Sequence, residues 1–167
     1  MRALSHLDDS WHLVLVGDGP ARTDIEAEMH ALGLAGRVHL VGSRDVNVHT
    51  YRAFDVFALS SISEAMPMTV LEAFAARVPV VASAVGGLPA LLQGGRTGSL
   101  YPSGDAGALA SAVQETMRDL IRTAVSVEAA HAQLLASHTV GAMATAYEAL
   151  YAEAIEIGQK SRRTRVS

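Results

Sequence analysis

The chain of 167 residues contains no cysteine. That excludes a disulfide framework, a zinc–thiolate site and a catalytic thiol. It also lacks any apolar run of the ~18 residues that a membrane-spanning helix needs. The opening "MRALSHLDDSWH" has no long apolar stretch of the secretory-signal kind. Positive charge is the minority sign, with 13 Lys plus Arg against 17 Asp plus Glu and a net charge of −4. A general nucleic-acid binder carries a basic footprint, so no nucleic-acid partner is expected. The seven histidines are scattered with no convincing metal-ligand spacing, and no metal is expected.

What is there is apolar bulk. Half of the residues are hydrophobic and 18% are charged, the balance of a globular chain long enough for one domain with a real core. The expected division is a domain over residues 1–157 and a basic flexible tail over 158–167, where four cations fall between Lys160 and Arg165. The expected location is the cytoplasm, with at most a peripheral contact of that tail with anionic lipid at the inner membrane face.

Along the chain, short Val- and Leu-rich runs alternate with helical patterns. "HLVLVG", "RVHLVG", "DVFALSS", "VPVVAS" and "GSLYP" read as strands. Ile25, Met29 and Leu32 mark a helix face that Gly33 ends, and "VHTYRAF" reads as one or two helical turns. Beyond Asp105 the pattern is helical throughout. One face there carries Leu109, Val113, Met117, Leu120 and Ile121, and another carries Tyr147, Leu150, Tyr151, Ala154 and Ile155. The two tyrosines read as core or interface aromatics. The alternation predicts an α/β fold, an open doubly wound parallel sheet covered on both faces. Ligands of such sheets bind at the carboxyl ends of the strands. The loops after Gly17, Gly42, Ser60 and Ser83 are therefore the ones to watch, with Gly17 and Gly19 read as turn residues.

The stretch "EAMPMTVLEAFAARVPVVAS" (Glu64–Ser83) places two carboxylates eight residues apart around a proline. Proline suits the first position of a helix, which makes Met66 the expected N-cap. Methionine has no oxygen for the N–H groups of Met68, Thr69 and Val70. An anion, favoured by the helix dipole, is the natural partner for them. Glu64 and Glu72 then flank an anion site as acceptor-only groups, suited to the hydroxyls of a phosphorylated, polyhydroxylated ligand such as a sugar nucleotide. The alternative reading is two ordinary acids near a helix start, each stabilising the dipole by ~0.3–1 kcal/mol.

"SEAMPMTVLEAFAARVPVVASAVGGLP" closely resembles the signature of retaining glycosyltransferase family 4, the glycosyltransferases group 1. The resemblance runs from about Leu4 to Ile155, through "LVLVGDGP", "VHLVG", "DVFALSSISE", "TGSLYPSGD" and "YEALY". It implies the carboxyl-terminal, donor-binding half of a two-domain GT-B fold, with nucleotide sugar as donor and no cofactor. Carried over by position, it makes Glu64 the catalytic-site residue on the donor-sugar hydroxyls and Glu72 the partner of the ribose. The amides of Met68, Thr69 and Val70, behind Pro67, would face the diphosphate. Gly42, Ser43, Arg44 and Val46 would meet the nucleobase, and Gly86 and Gly87 would form the next wall.

Ala65, Arg77 and Ala90 depart from residues common in that family. If the helix end at Arg77 is left-handed, the arginine is strained by about 1 kcal/mol. The family's glycine-arginine loop and lysine, which contact the donor phosphates, have no match before His12. The resemblance thus implies a domain short of its first, central strand and of the acceptor-binding domain, with Arg22 or Arg44 as partial substitutes at most. The chain alone is expected to turn over little sugar nucleotide. The neighbours of the absent strand are expected to close together or to take a strand from a partner, and the Tyr147–Ile155 stripe to favour self-association. A sugar-nucleotide epimerase and a non-catalytic nucleotide- or partner-binding module are the alternatives.

Overall fold

The computed structural model describes residues 1–164, with side chains to residue 157. The basic side chains from Lys160 to Arg165 lie outside the described ones.

After a 3-10 turn (Arg2–His6), strands β1 (Leu13–Val16) and β2 (Val38–Gly42) flank helix α1 (Arg22–Ala31). Then come α2 (Val48–Tyr51), β3 (Phe57–Leu59), α3 (Met68–Ala76), β4 (Val80–Ser83), α4 (Leu88–Leu91) and β5 (Ser99–Tyr101). Three helices close the chain: α5 (Ala106–Arg118), α6 (Leu120–Ser137) and α7 (Val140–Thr164). The helix backbone of α7 thus enters the segment expected to be a flexible tail. All strand pairs are parallel, as βαβ connections require.

Period-two alternation explains why β4 is the spine. Val80 and Ala82 point into one cluster with Val70, Phe74, Leu88 and Leu92, under α3, α4 and α6. Val81 points the other way, to Tyr101 and Val113 of β5 and α5. A strand with apolar neighbours on both faces reads as a near-continuous apolar run, and "VVAS" is buried throughout, its one polar side chain, Ser83, donating to the Ser61 carbonyl.

The parallel architecture is the one expected, with one break in its sheet. It comes in two parts, β1–β2 and β3–β4–β5, and β1 does not pair with β3. The flanking strands have therefore not closed together. Side chains join the two parts instead. Leu7 and Trp11 pack both against the small cluster of Leu4, Leu34 and Val38 and against the cluster beneath α5. Arg37 ties this amino-terminal segment to β2, its guanidinium donating to the carbonyls of Leu4 (3.2 Å), Leu7 (3.1 Å), Asp8 (2.6 Å) and Trp11 (3.0 Å).

At the other end, α7 packs on α6 and leaves its apolar face open. Tyr147 and Tyr151 are 52% and 65% exposed, so neither is a core residue, and Leu150 and Ile155 are exposed beside them. Among the described residues, no helix is long and apolar enough to cross a membrane.

Candidate functional site

Glu64 lies on the loop from β3 to α3, and that loop is fastened from three directions. The Ser61 carbonyl accepts from the buried Ser83 hydroxyl at 2.7 Å and from Ser103 at 3.3 Å. The Leu59 carbonyl accepts from the Tyr101 hydroxyl at 3.4 Å. On the third side the turn after β4 presses against it, and the Gly87 amide donates to the Glu64 carbonyl at 3.1 Å.

That contact explains the paired glycines. A Cβ on Gly86 would sit 1.7 Å from the Glu64 carbonyl oxygen, and one on Gly87 would sit 1.9 Å from that of Ala65. Gly86 also has a φ of +53°, a region costly for other residues. Both glycines thus stand behind the Glu64 loop. The Glu64 carboxylate is half-buried and locally held, with Oε1 accepting from the Ala65 amide at 3.2 Å and Oε2 from the Ser61 hydroxyl at 3.4 Å.

The start of α3 differs from expectation by one residue. Pro67, not Met66, is the N-cap, with φ −75° and ψ 120°. Proline fixes φ near this value but leaves ψ free, so it serves an extended cap as well as a first helical position. No side chain caps the helix, and its first turn carries no acid. The Val70 amide donates to the Pro67 carbonyl at 3.2 Å, which removes it from the expected anion site. Those of Met68 and Thr69 have no partner among the described residues and lie at the positive end of the dipole. Thr69 itself is exposed there.

Glu72 stands one turn further along, exposed, and its Oε2 accepts from the Tyr51 hydroxyl at 2.7 Å. Burial first, then this carboxylate, raises the tyrosine's pKa well above its ordinary value, so it remains a donor. Tyr51 belongs to the single turn α2, which packs on α3. A reciprocal cap between Asn47 and Thr50 locks that turn: Asn47 Oδ1 accepts from the His49 and Thr50 amides at 2.9 and 3.3 Å, and Thr50 Oγ1 from the Asn47 amide. The string "NVHT" carries that capping pattern and marks the turn. The link from Tyr51 to Glu72 spans 21 residues and has no local mark.

The loop from Gly42 to Val46 leads into this capped turn. Gly42 has φ +70°, and its carbonyl accepts from the Gly17 amide at 2.9 Å, so the two glycines join the ends of β1 and β2. Ser43, Arg44 and Val46 are exposed. Neither expected substitute cation is unengaged. Arg44 Nε donates to the Val41 carbonyl at 3.0 Å, and Arg22 pairs with Glu26 at 2.8 Å and Asp18 at 3.5 Å.

Two features were not legible in the spacing of residues. His12 and His39 stack with ring centroids 5.3 Å apart and nitrogens 3.1 Å apart, although among the described residues no third ligand completes a metal group with them. A cavity of about 310 Å³ also opens at the amino ends of β4 and β5, lined in part by Arg96, Thr116, Asp119, Arg122 and Thr123. It lies away from the carboxyl ends of the strands.

The family model of glycosyl transferases group 1 matches residues 1–119. A D-inositol 3-phosphate glycosyltransferase of Mycolicibacterium vanbaalenii is 35% identical over 90% of the chain, which spans 38% of that enzyme's length. Anabaena Alr3699/HepE, solved in complex with UDP, superposes with a TM-score of 0.77 at 28% identity, over 90% of this chain and 43% of its own. Sucrose-phosphate synthase from Thermosynechococcus elongatus superposes with a TM-score of 0.78 at 30% identity, over 93% of this chain and 41% of its own. The fold is also that of the C-terminal domain of Francisella tularensis LpcC, with a TM-score of 0.70 at 17% identity, 83% of this chain against 79% of that one. The α/β architecture is one Rossmann-like half of a GT-B glycosyltransferase, and the chain belongs to the glycosyl transferases group 1 family.

Proposed function

We propose that this chain is the donor-binding, carboxyl-terminal part of a retaining glycosyltransferase of family 4, which moves a hexose from a nucleoside diphosphate sugar to an acceptor hydroxyl. One observation carries the reading: a helix start with two free amides and no cap, flanked by two carboxylates that the surrounding fold holds in place. Among the described residues no acceptor meets the amides of Met68 and Thr69, and a diphosphate is their complement. Glu64, fixed by its backing glycines, takes the sugar hydroxyls beside the reacting carbon. Glu72 takes the ribose hydroxyls, and the backbone from Gly42 to Val46 meets the base. The UDP complex of Anabaena HepE supports a nucleotide of this kind.

The departing diphosphate needs compensation of its developing charge, and a single such donor is typically worth about 3–4 kcal/mol. Arg22 and Arg44 are engaged elsewhere. We therefore assign the cations and the acceptor site to parts of the enzyme outside these residues. Turnover by this chain alone is then slight, and its setting is cytoplasmic. The engaged arginines equally favour a second reading, a module that binds a nucleotide without chemistry.

Calorimetric titration with UDP, GDP and ADP, and with their glucose or mannose derivatives, tests the site. Binding that Glu72→Ala abolishes is the expected result and identifies the base. A folded chain that binds none of these ligands defeats the donor-site reading. Rapid transfer of sugar by the purified chain defeats the assignment of the cations elsewhere.

A further inference from the structure

An exposed glutamate on a helix ordinarily samples many orientations, because its side chain has several free torsions. Glu72 is anchored at one oxygen by the Tyr51 hydroxyl at 2.7 Å, within the range of a strong charge-assisted bond. The donor cannot follow a wandering carboxylate. Tyr51 is 5% exposed, its ring meets Phe57 edge-on at 5.5 Å, and the turn that carries it is locked by the Asn47–Thr50 cap. This bond occupies only part of the carboxylate's accepting capacity, and among the described residues Oε1 has no partner and keeps its capacity for a ligand.

We propose that Tyr51 is a positioning residue, which presets the Glu72 carboxylate to accept from two adjacent ligand hydroxyls. The proposal rests on the donor-site reading, in which those hydroxyls belong to the ribose of a nucleoside diphosphate. A carboxylate already held in one orientation loses less freedom when the ligand arrives, and that saving is realised only by a ligand with hydroxyls to offer.

The test titrates UDP and 2′,3′-dideoxyuridine diphosphate into the wild-type chain, Tyr51→Phe, Glu72→Gln and the double variant. Tyr51→Phe removes one oxygen and keeps the buried ring. It is expected to weaken UDP by about tenfold, to leave the dideoxy nucleotide unchanged, and to weaken UDP less in the Glu72→Gln background, where a neutral amide oxygen accepts from the tyrosine in place of the carboxylate. Equal weakening of both nucleotides, or undiminished weakening in the Glu72→Gln background, overturns the proposal and makes Tyr51 a packing residue. UDP binding that Tyr51→Phe leaves unchanged also overturns it, while the donor site stands. If the folded wild-type chain binds neither nucleotide, nor GDP or ADP in their place, the donor-site reading fails, and carbon-13 relaxation of the Glu72 side chain decides the positioning claim. A side chain rigid in the wild type and mobile in Tyr51→Phe upholds it; equal mobility in both overturns it.

Discussion

Arg77 closes α3 with φ 60° and ψ 41°, the left-handed conformation that a glycine adopts without a Cβ clash. It also pairs its guanidinium with Glu128 on α6. The two effects separate by comparing variants. Arg77→Ala loses the pair and keeps the strain, whereas Arg77→Gly loses the pair and relieves the strain. The glycine variant is expected to be more stable than the alanine variant by about 1–2 kcal/mol in urea unfolding. Equal stabilities would mean that the helix end relaxes freely. This strain was legible in the sequence, because a resembling family often has glycine there. The spacing of Glu64 and Glu72 was legible for the same reason of locality. The four carbonyls gathered by Arg37 were not, since they converge only when residues 4–11 fold back on β2.

At the scale of elements, the site is a contact between two backbones. The loop that carries Glu64 and the turn that carries Gly86 and Gly87 approach too closely for any side chain to come between them. Gly87→Ala is expected to cost about 2–3 kcal/mol of stability, because the new methyl has only carbonyl to displace. It should also weaken nucleotide-sugar binding more than binding of the bare nucleoside diphosphate, since Glu64 moves while α3 stays. Calorimetry with the two ligands reads the difference, and equal losses would place the glycine's effect on the whole fold. The sequence pattern placed all five strands and the helices α1, α2 and α3, because Val- and Leu-rich runs and their period are local properties, but it did not give α4 between β4 and β5. The N-cap of α3 fell one residue from its expected place, since proline is compatible with both positions. The function of the glycine pair as backing for Glu64 was not legible, because the loop they support lies more than twenty residues earlier in the chain.

For the whole molecule, the open face of α7 sets solution behaviour. Val140, Met143, Tyr147, Leu150, Tyr151 and Ile155 are each more than half exposed. Contiguous apolar surface of this kind is costly in water. A second copy of this chain is its expected cover. Sedimentation is expected to show association that rises with concentration and that Leu150→Glu with Tyr151→Glu abolishes. A monodisperse monomer at high concentration would refute it.

The division of the sheet has a consequence for how the protein opens. No backbone hydrogen bond runs from β1 to β3, so β1 and β2 can separate from the rest without breaking a strand ladder. The cost of that opening is set by Leu7 and Trp11, where they meet the cluster beneath α5, rather than by the main core. Such a unit unfolds on its own at a fraction of the global free energy. The amides of Leu13–Val16 should therefore exchange with solvent sooner than those of Val80–Ser83. The first protease cut should likewise free the amino-terminal third while the Glu64 loop, α3 and β4 remain folded together.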